Sequence, residues 1–178
     1  MLKADSDRVH RTLACSIHVV ARIIGPEFTA ADLTPAFAAF LSDPSEEVEQ
    51  CAMDHFADYT LSTARDDGRS LLQRLRAVLE DVNSRFALRW RLRETAARAL
   101  APLADVFALD ATVEAQDGYW TSYEKLLIRC LGDEAAAVRE TAAYAVRFLL
   151  LLLSSRRMVQ PCWRRTGRDG FQEGHGDG

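Results

Sequence analysis

The chain has 178 residues and 48% of them are hydrophobic, so it can bury a core without help from a metal or a disulfide. Its 22 basic and 26 acidic side chains give a net charge of −4, and the body before Ser154 is more acidic than the whole. Because nucleic acids are bound largely through basic groups that neutralise phosphates, no nucleic-acid partner is expected.

The cysteines, at positions 15, 51, 130 and 162, form no C-x-x-C pair and have no histidines at ligand spacing. The sequence therefore predicts no zinc site, no disulfide and no cofactor. Reduced thiols and the lack of a signal peptide predict a cytoplasmic or nuclear protein. The longest strongly apolar run, Phe148 to Leu153, is far shorter than the roughly 20 residues of a membrane-spanning helix. No membrane partner is expected.

Apolar residues at helical spacing predict seven helices, beginning with one from about Asp7 to Ile24 that ends at Gly25-Pro26. The second helix starts near Thr29 as its N-cap, and Pro35 inside it predicts a kink. The stripe expected to be buried on the first helix consists of Val9, Leu13, Ile17, Val20 and Ile24.

The third helix is predicted from about Glu46 to Ala64, after a turn at 42–45, and Asp66-Asp67-Gly68 separates it from the next pair. The fourth spans about 70–82, and the fifth runs from Trp90 through Leu103.

Residues 108–118 lack a stable apolar period and are predicted to be a loop. The last two helices are predicted from about Thr121 to Leu131 and from about Ala135 to Leu153. The tail, residues 154–178, has five glycines and five arginines and is predicted to be disordered, which leaves residues 5–153 as the folded unit.

An apolar anchor opens four segments of similar design, and the anchors Val9, Val48, Leu92 and Val138 lie 39, 44 and 46 residues apart. The six residues from Leu92 and the six from Val138 agree at five positions. A period of roughly 40 to 47 residues built from helix pairs is typical of HEAT and armadillo arrays. The sequence thus predicts an all-α, HEAT-repeat (armadillo-like) α-solenoid of about three and a half helix pairs. Such arrays usually bind other proteins. Both ends of the array look cut, which predicts a piece of a longer array or a partner that covers the apolar last helix.

Trp90 and Arg91 are residue types enriched at protein-binding hot spots, although packing at a helix start is the alternative. Two acidic turns, Asp43-Pro44 and Asp133-Glu134, also have two interpretations. They can contact a partner, or their carboxylates can cap helix amides, and capping is the favoured one.

No catalytic motif is apparent, since the chain lacks a Gly-rich phosphate loop, a G-x-S-x-G elbow and an H-E-x-x-H pair. The four histidines are followed by Arg, Val, Phe and Gly, so the His-Glu dipeptides of HEAT-like di-iron hydroxylases are absent as well. We therefore expect a protein that is not an enzyme, whose histidines are surface or core groups rather than metal ligands.

Several short patterns carry a family resemblance over about 5–153. Asp43 and Asp133 each stand five places before the anchors Val48 and Val138, and the segment from Trp90 to Arg93 is followed by a proline at 102. In these features the chain resembles the HEAT-repeat scaffold and regulatory subunits of protein phosphatases of the 2A and 4 type.

The resemblance implies a non-catalytic subunit whose intra-repeat turns form a ridge that docks a phosphatase catalytic subunit. Another HEAT adaptor, for nuclear transport or chromosome-associated proteins, is the alternative, and a basic concave face would favour it. The resemblance also implies a ladder between repeats, in which an arginine after an anchor pairs with a turn aspartate. Asp133 with Arg139 fits this pattern. The ladder is partial, because Glu49 and His10 stand where the pattern has an arginine. The candidate partner-binding residues are Asp43, Pro44, Arg89, Trp90, Arg91, Asp133 and Glu134.

Overall fold

The computed structural model describes residues 2–81, 88–110 and 119–159, and every regular element in this part of the chain is helical. The elements in chain order are α1 (Leu2–Ile24), α2 (Pro26–Phe28), a π-helical turn (Thr29–Leu33), α3 (Thr34–Phe40), α4 (Glu46–Asp54), α5 (Phe56–Leu61), α6 (Arg65–Glu80), α7 (Trp90–Asp110), α8 (Tyr119–Leu131) and α9 (Ala136–Val159). The described part of the chain is therefore all-α, as the sequence predicted.

Successive helices alternate between two layers. One layer contains α1, then α4 with α5, then α7 and α9, each packed against the next. The other contains α3, α6 and α8, again in chain order, and each of these also packs against the first layer. This two-layered order is consistent with an α-solenoid. None of the described helices is both long and apolar enough to cross a membrane.

The apolar anchors are buried in three of the four segments. Val48, Leu92 and Val138 are completely buried, whereas Val9 is 56% exposed. The predicted stripe on α1 is buried only at Ile17, whereas Val9, Leu13, Val20 and Ile24 are exposed. The stripe that α1 buries consists of Ala14, Ile17 and Ala21. Small side chains there let the neighbouring helices approach closely.

The second predicted helix begins differently from the expectation. Thr29 does not cap it: the Thr29 side chain is buried, and its hydroxyl donates to the carbonyl oxygens of Gly25 (2.7 Å) and Ala21 (3.2 Å). Pro35 lies in the first turn of α3, where its missing N–H is not needed. The π-helical turn before it absorbs the irregularity, since the Thr34 amide donates to the Thr29 carbonyl.

Helix boundaries differ from the predictions at several points. The third helix is interrupted at His55, where the backbone leaves helical geometry (φ −107°, ψ 12°). Asp66-Asp67-Gly68 belongs to α6 and is not a separator, because acidic residues suit the first turn of a helix. α7 continues to Asp110, and of the loop predicted at 108–118, residues 111–118 lie outside the described residues.

α9 ends at Val159, six residues beyond the predicted end, so the start of the predicted tail is helical. The remainder of that tail lies outside the described residues.

A disulfide joins Cys15 of α1 to Cys51 of α4, with 5.0 Å between their Cα atoms. The prediction of no disulfide was wrong, because the two cysteines are 36 residues apart and only the packing of α1 on α4 brings them together. The prediction of a cytoplasmic or nuclear location rested partly on reduced thiols, and the disulfide removes that reason for it. Cys130 is a free, buried thiol, and burial raises its pKa to about 12.

Candidate partner-binding groove

A groove of about 790 Å³ lies between α4 and the start of α7, and Arg11 of α1 also lines it. We call it the α4–α7 groove. Its lining residues are Arg11, Glu46, Glu47, Gln50, Cys51, Asp54, Leu88, Arg89, Trp90 and Arg91. Three of the seven candidate residues, Arg89, Trp90 and Arg91, thus come together at one site.

The start of α7 determines which way these three side chains point. The Arg89 carbonyl accepts hydrogen bonds from the amides of Leu92 (3.1 Å) and Arg93 (3.3 Å), which begins the helix. Leu92 and Arg93 then face the core and are buried. Trp90, two positions before Leu92, is left 40% exposed. Packing therefore covers part of its side chain, and the rest is available to a partner.

Arg91 is exposed, and its guanidinium lies 4.8 Å from the centre of the Trp90 ring. A planar cation stacked on an indole face is held by a cation–π attraction. The pair therefore presents a partly ordered apolar and cationic surface to the groove. Leu88, 86% exposed, adds an apolar side chain at the same rim.

Charges along the groove are balanced rather than uniformly basic. Arg89 pairs with Glu46 and also with the buried carboxylate of Glu49 at 3.3 Å, and Arg11 pairs with Glu47 at 2.8 Å. Because acidic and basic side chains alternate along the walls, the groove suits a protein surface carrying both signs better than a polyanion.

Gln50 links the two helices that form the groove. Its side-chain amide donates to the Asp54 carboxylate at 2.9 Å and to the Thr95 hydroxyl at 3.3 Å. Since Gln50 and Asp54 belong to α4 and Thr95 to α7, this network holds the two helices in register. The groove is built on rigid elements, which favours specific binding.

Asp43 and Pro44 lie in the turn before α4 and do not line the groove. Asp43 accepts a hydrogen bond from the Ser45 amide at 2.8 Å, and its second carboxylate oxygen lies 3.5 Å from Nδ1 of His10. The hydrogen bond from Ser45 is local to the turn that precedes α4, and its donor is the amide of the N-cap residue rather than an amide of the helix itself. Pro44 is exposed on the same turn.

Asp133 and Glu134 occupy the equivalent turn before α9. The guanidinium of Arg93 donates two hydrogen bonds to the Asp133 carboxylate, at 2.7 and 3.0 Å, and a third to exposed Glu134 at 3.2 Å. Asp133 also accepts from the Ala135 amide at 2.9 Å. Burial alone would raise the pKa of Asp133, but the hydrogen bonds from Arg93 and Ala135 outweigh it and hold that pKa below its ordinary value.

These contacts belong to a series of pairs that the sequence predicted only in part. The residue after each of the first three anchors contacts a charged residue near the start of the next helix of its layer. The series consists of His10 with Asp43, Glu49 with Arg89, and Arg93 with Asp133. The prediction that Arg139 pairs with the Asp133 carboxylate is wrong, because Arg139 donates to the backbone oxygens of Asp133 (2.7 Å) and Glu134 (2.8 Å). We call the three pairs the ladder.

A cluster of two histidines and an aspartate was not predicted from the sequence. His18, His55 and Asp58 have ligand atoms all within 4.8 Å of one another. No motif marks them, because His18 lies on α1, His55 lies between α4 and α5, and no carboxylate follows either directly. The only signal is positional: His18 follows Cys15 by three residues and His55 follows Cys51 by four, so both pairs lie on facing helix sides.

The described residues thus form an all-α, layered structure with a groove between α4 and α7. No model of a known protein family matches the chain. The chain is 39% identical over 101 residues to serine/threonine-protein phosphatase 4 regulatory subunit 1 of Homo sapiens, and equally to the same protein of Mus musculus and Rattus norvegicus.

The matched region covers 57% of this chain but only 10% of each relative, so the chain spans a small part of the length of these proteins. The identity supports a relation to them. By name they are regulatory subunits and not catalytic ones.

Proposed function

We propose that the chain is a HEAT-repeat segment of a non-catalytic scaffold or regulatory subunit that binds a serine/threonine phosphatase of the 2A or 4 type. The observation that carries the proposal is the 39% identity with phosphatase 4 regulatory subunit 1 over 101 residues. The unit that does the binding spans residues 5–153, and the chain has no catalytic role and no cofactor of its own.

The HEAT assignment is supported by the alternation of the helices between two layers and by the ladder. In a stacked array each repeat contacts only its neighbours, so charged pairs recur at the same place from one unit to the next. Arg93 with Asp133 and Glu49 with Arg89 both join residues 40 apart, which falls within the period expected for HEAT units.

A catalytic subunit would dock along the turns and in the α4–α7 groove. Trp90 and Arg91 supply the exposed anchor, with Arg89 beside them, and the turns at Asp43-Pro44 and Asp133-Glu134 extend the contact along the same edge. The chain would act by holding the phosphatase near its substrate at high effective concentration, with all phosphoryl chemistry in the catalytic subunit.

The adaptor alternative gains no support from the groove. A concave face that binds nuclear transport or chromosome-associated proteins was expected to be basic, whereas this groove is lined by three arginines and by three acidic side chains, Glu46, Glu47 and Asp54. Two of those arginines already form ion pairs within the groove.

The test is affinity capture with the full chain as bait in a cell lysate at near-physiological salt, with phosphatase activity and mass spectrometry read from the same eluate. We expect a phosphatase catalytic subunit to be recovered and to be lost with Trp90→Ala/Arg91→Ala. The matched control is Tyr144→Ala/Arg147→Ala, which removes an exposed aromatic and an exposed arginine from α9, away from the groove. Recovery of transport or chromatin proteins without a phosphatase, from a folded bait, would contradict the proposal.

A further inference from the structure

Two histidines and an aspartate meet where α1 packs against α5. His18 comes from α1, His55 is the residue between α4 and α5, and Asp58 lies in the first turn of α5. One ligand atom from each lies within 4.8 Å of the others. None of the three lines the α4–α7 groove or belongs to the ladder, so the proposed phosphatase binding does not account for them.

The two imidazole rings are held parallel. Their centroids are 4.0 Å apart and the planes differ by 15°. The break in the helix at His55 fixes the backbone of the second ring, and the Asp58 carboxylate approaches its Nδ1 to 3.9 Å. The stacking brings the His18 ring of α1 into contact with the ring of His55, the residue between α4 and α5.

His18 also carries a nitrogen whose partner is missing. Its Nδ1 is buried and forms no hydrogen bond. A buried polar atom without a partner is unfavourable and calls for an explanation, such as a bound ion. Of the three candidate ligands, His18 therefore has the most to gain from coordination.

We propose that His18, His55 and Asp58 form a binding site for a divalent transition-metal ion of the zinc type. Two imidazole nitrogens and one carboxylate oxygen are ligands that Zn²⁺ and Co²⁺ accept, whereas Ca²⁺ and Mg²⁺ prefer oxygen alone. The set provides three protein ligands, which leaves a fourth position of a tetrahedral ion for water.

Side-chain rotations are needed for the cluster to accept the ion. At metal–ligand bonds of about 2.0 to 2.2 Å, two ligands on a tetrahedral ion are separated by roughly 3.4 Å. The three ligand atoms here lie within 4.8 Å of one another, and the Asp58 carboxylate lies 3.9 Å from Nδ1 of His55. Because a bound ion lies close to the plane of each imidazole, one of the two stacked rings must turn about its Cβ–Cγ bond, and the exposed Asp58 side chain can rotate toward the same point.

Space and charge around the cluster are compatible with a solvated ion. A groove of about 520 Å³, lined among others by His18, Asp58 and Arg22, opens beside it and has room for the water ligand. Arg22 opposes a cation there, while the carboxylate of Asp58 offsets it. This balance predicts binding of moderate strength rather than the very tight binding of an all-thiolate site.

An ion at this position would brace the contact between α1 and the α4–α5 segment. Cys15 and Cys51 join the same two segments about one helical turn away. When the disulfide is reduced, the ion would remain as a link across the same seam, so its effect on stability should be larger in the reduced protein.

The test uses the full chain, stripped of metal by chelator and titrated with Zn²⁺ or Co²⁺ alone. We expect one equivalent to bind by calorimetry, a rise in Tm, and Co²⁺ absorption bands of a nitrogen and oxygen site without the intense near-ultraviolet band of thiolate ligation. His18→Gln and His55→Gln should each weaken binding by more than about 10-fold, the lower end of the cost of losing even a supporting partner. Asp58→Asn should weaken it too, and its exposure makes that variant safe for folding.

The matched control is His10→Gln, which removes another histidine from α1, and His175→Gln removes the histidine of the tail. Both should bind as the wild type does. The proposal is overturned if no stoichiometric ion binds, if binding survives in Asp58→Asn and in a folded His18→Gln or His55→Gln variant, or if it disappears with His175→Gln.

Discussion

Glu49 and Arg89 pair across 3.3 Å in the middle of the ladder with the charges exchanged relative to the pair that follows. In that next pair the arginine, Arg93, belongs to the position after the anchor, and the carboxylate of Asp133 comes from the turn. A charge pair works in either direction when both partners are exchanged together. The ladder is therefore maintained in a unit where the sequence alone suggested that it was missing.

The middle pair should contribute measurably to stability because Glu49 is only 3% exposed. Glu49→Gln leaves Arg89 without its buried partner and should cost about 1.5 to 3 kcal/mol of unfolding free energy in urea, as expected for a hydrogen bond to a charged group. The matched control is Glu47→Gln, since the pair of Glu47 with Arg11 is largely exposed and should be worth less than about 1 kcal/mol. Equal losses in the two variants would contradict the assignment.

The Asp133 pair should make stability depend on pH at the acidic end. Because the pKa of Asp133 is lower in the folded protein than the value of about 3.9 in an unfolded chain, the unfolded state binds the proton more readily. Its contribution is present above about pH 4 and is lost as the pH falls through the lower folded pKa. In urea unfolding, Asp133→Asn should be less stable than the wild type at pH 7, and the difference should shrink below about pH 4. A difference that stays constant with pH would refute this origin.

The difference in burial between the anchors Val48 and Val9 can be tested by replacing each valine with alanine. Val48→Ala removes methyl groups from a completely buried site and should cost about 1.5 to 3 kcal/mol. Val9→Ala changes a side chain that is 56% exposed and should lie within about 0.5 kcal/mol of the wild type. If Val9→Ala proved as costly as Val48→Ala, the outer face of α1 would have to be covered in solution.

Much of the fold could be predicted from the sequence, because helical periodicity and turn residues are local signals. The burial of Val48, Leu92 and Val138 followed from their positions in the repeat. The exposure of Val9 could not be predicted in the same way. Burial depends on whether a neighbouring helix covers that face, and a repeat pattern does not say where the packing ends.

The site could be predicted less completely. Trp90 and Arg91 were marked by residue type alone, while the pairs of Arg93 with Asp133 and of Cys15 with Cys51 join residues about 40 places apart. Such contacts are decided by the stacking of helices and not by any local spacing. The cluster of His18, His55 and Asp58 was missed for the same reason.

The disulfide between Cys15 and Cys51 should stabilise the folded chain. A cross-link over 36 residues restricts the unfolded ensemble and is worth about 2 to 4 kcal/mol. Urea unfolding with and without a reductant should show a loss of this size in the wild type and none in Cys15→Ser/Cys51→Ser. Peptide mapping under non-reducing conditions should recover the linked peptides, and free thiols at both positions in oxidised protein would contradict the link.

We proposed above that a phosphatase catalytic subunit binds in the α4–α7 groove. The most direct test of this proposal is the Kd of the full chain for purified catalytic subunits of phosphatases 4 and 2A, measured by calorimetry for the wild type, Trp90→Ala/Arg91→Ala and Tyr144→Ala/Arg147→Ala. We predict measurable binding to at least one catalytic subunit, weakened about 10-fold or more by the groove variant, as hot-spot truncations do, and unchanged in the α9 variant. No binding of the folded wild type to either subunit, or equal binding by all three proteins, would contradict the account.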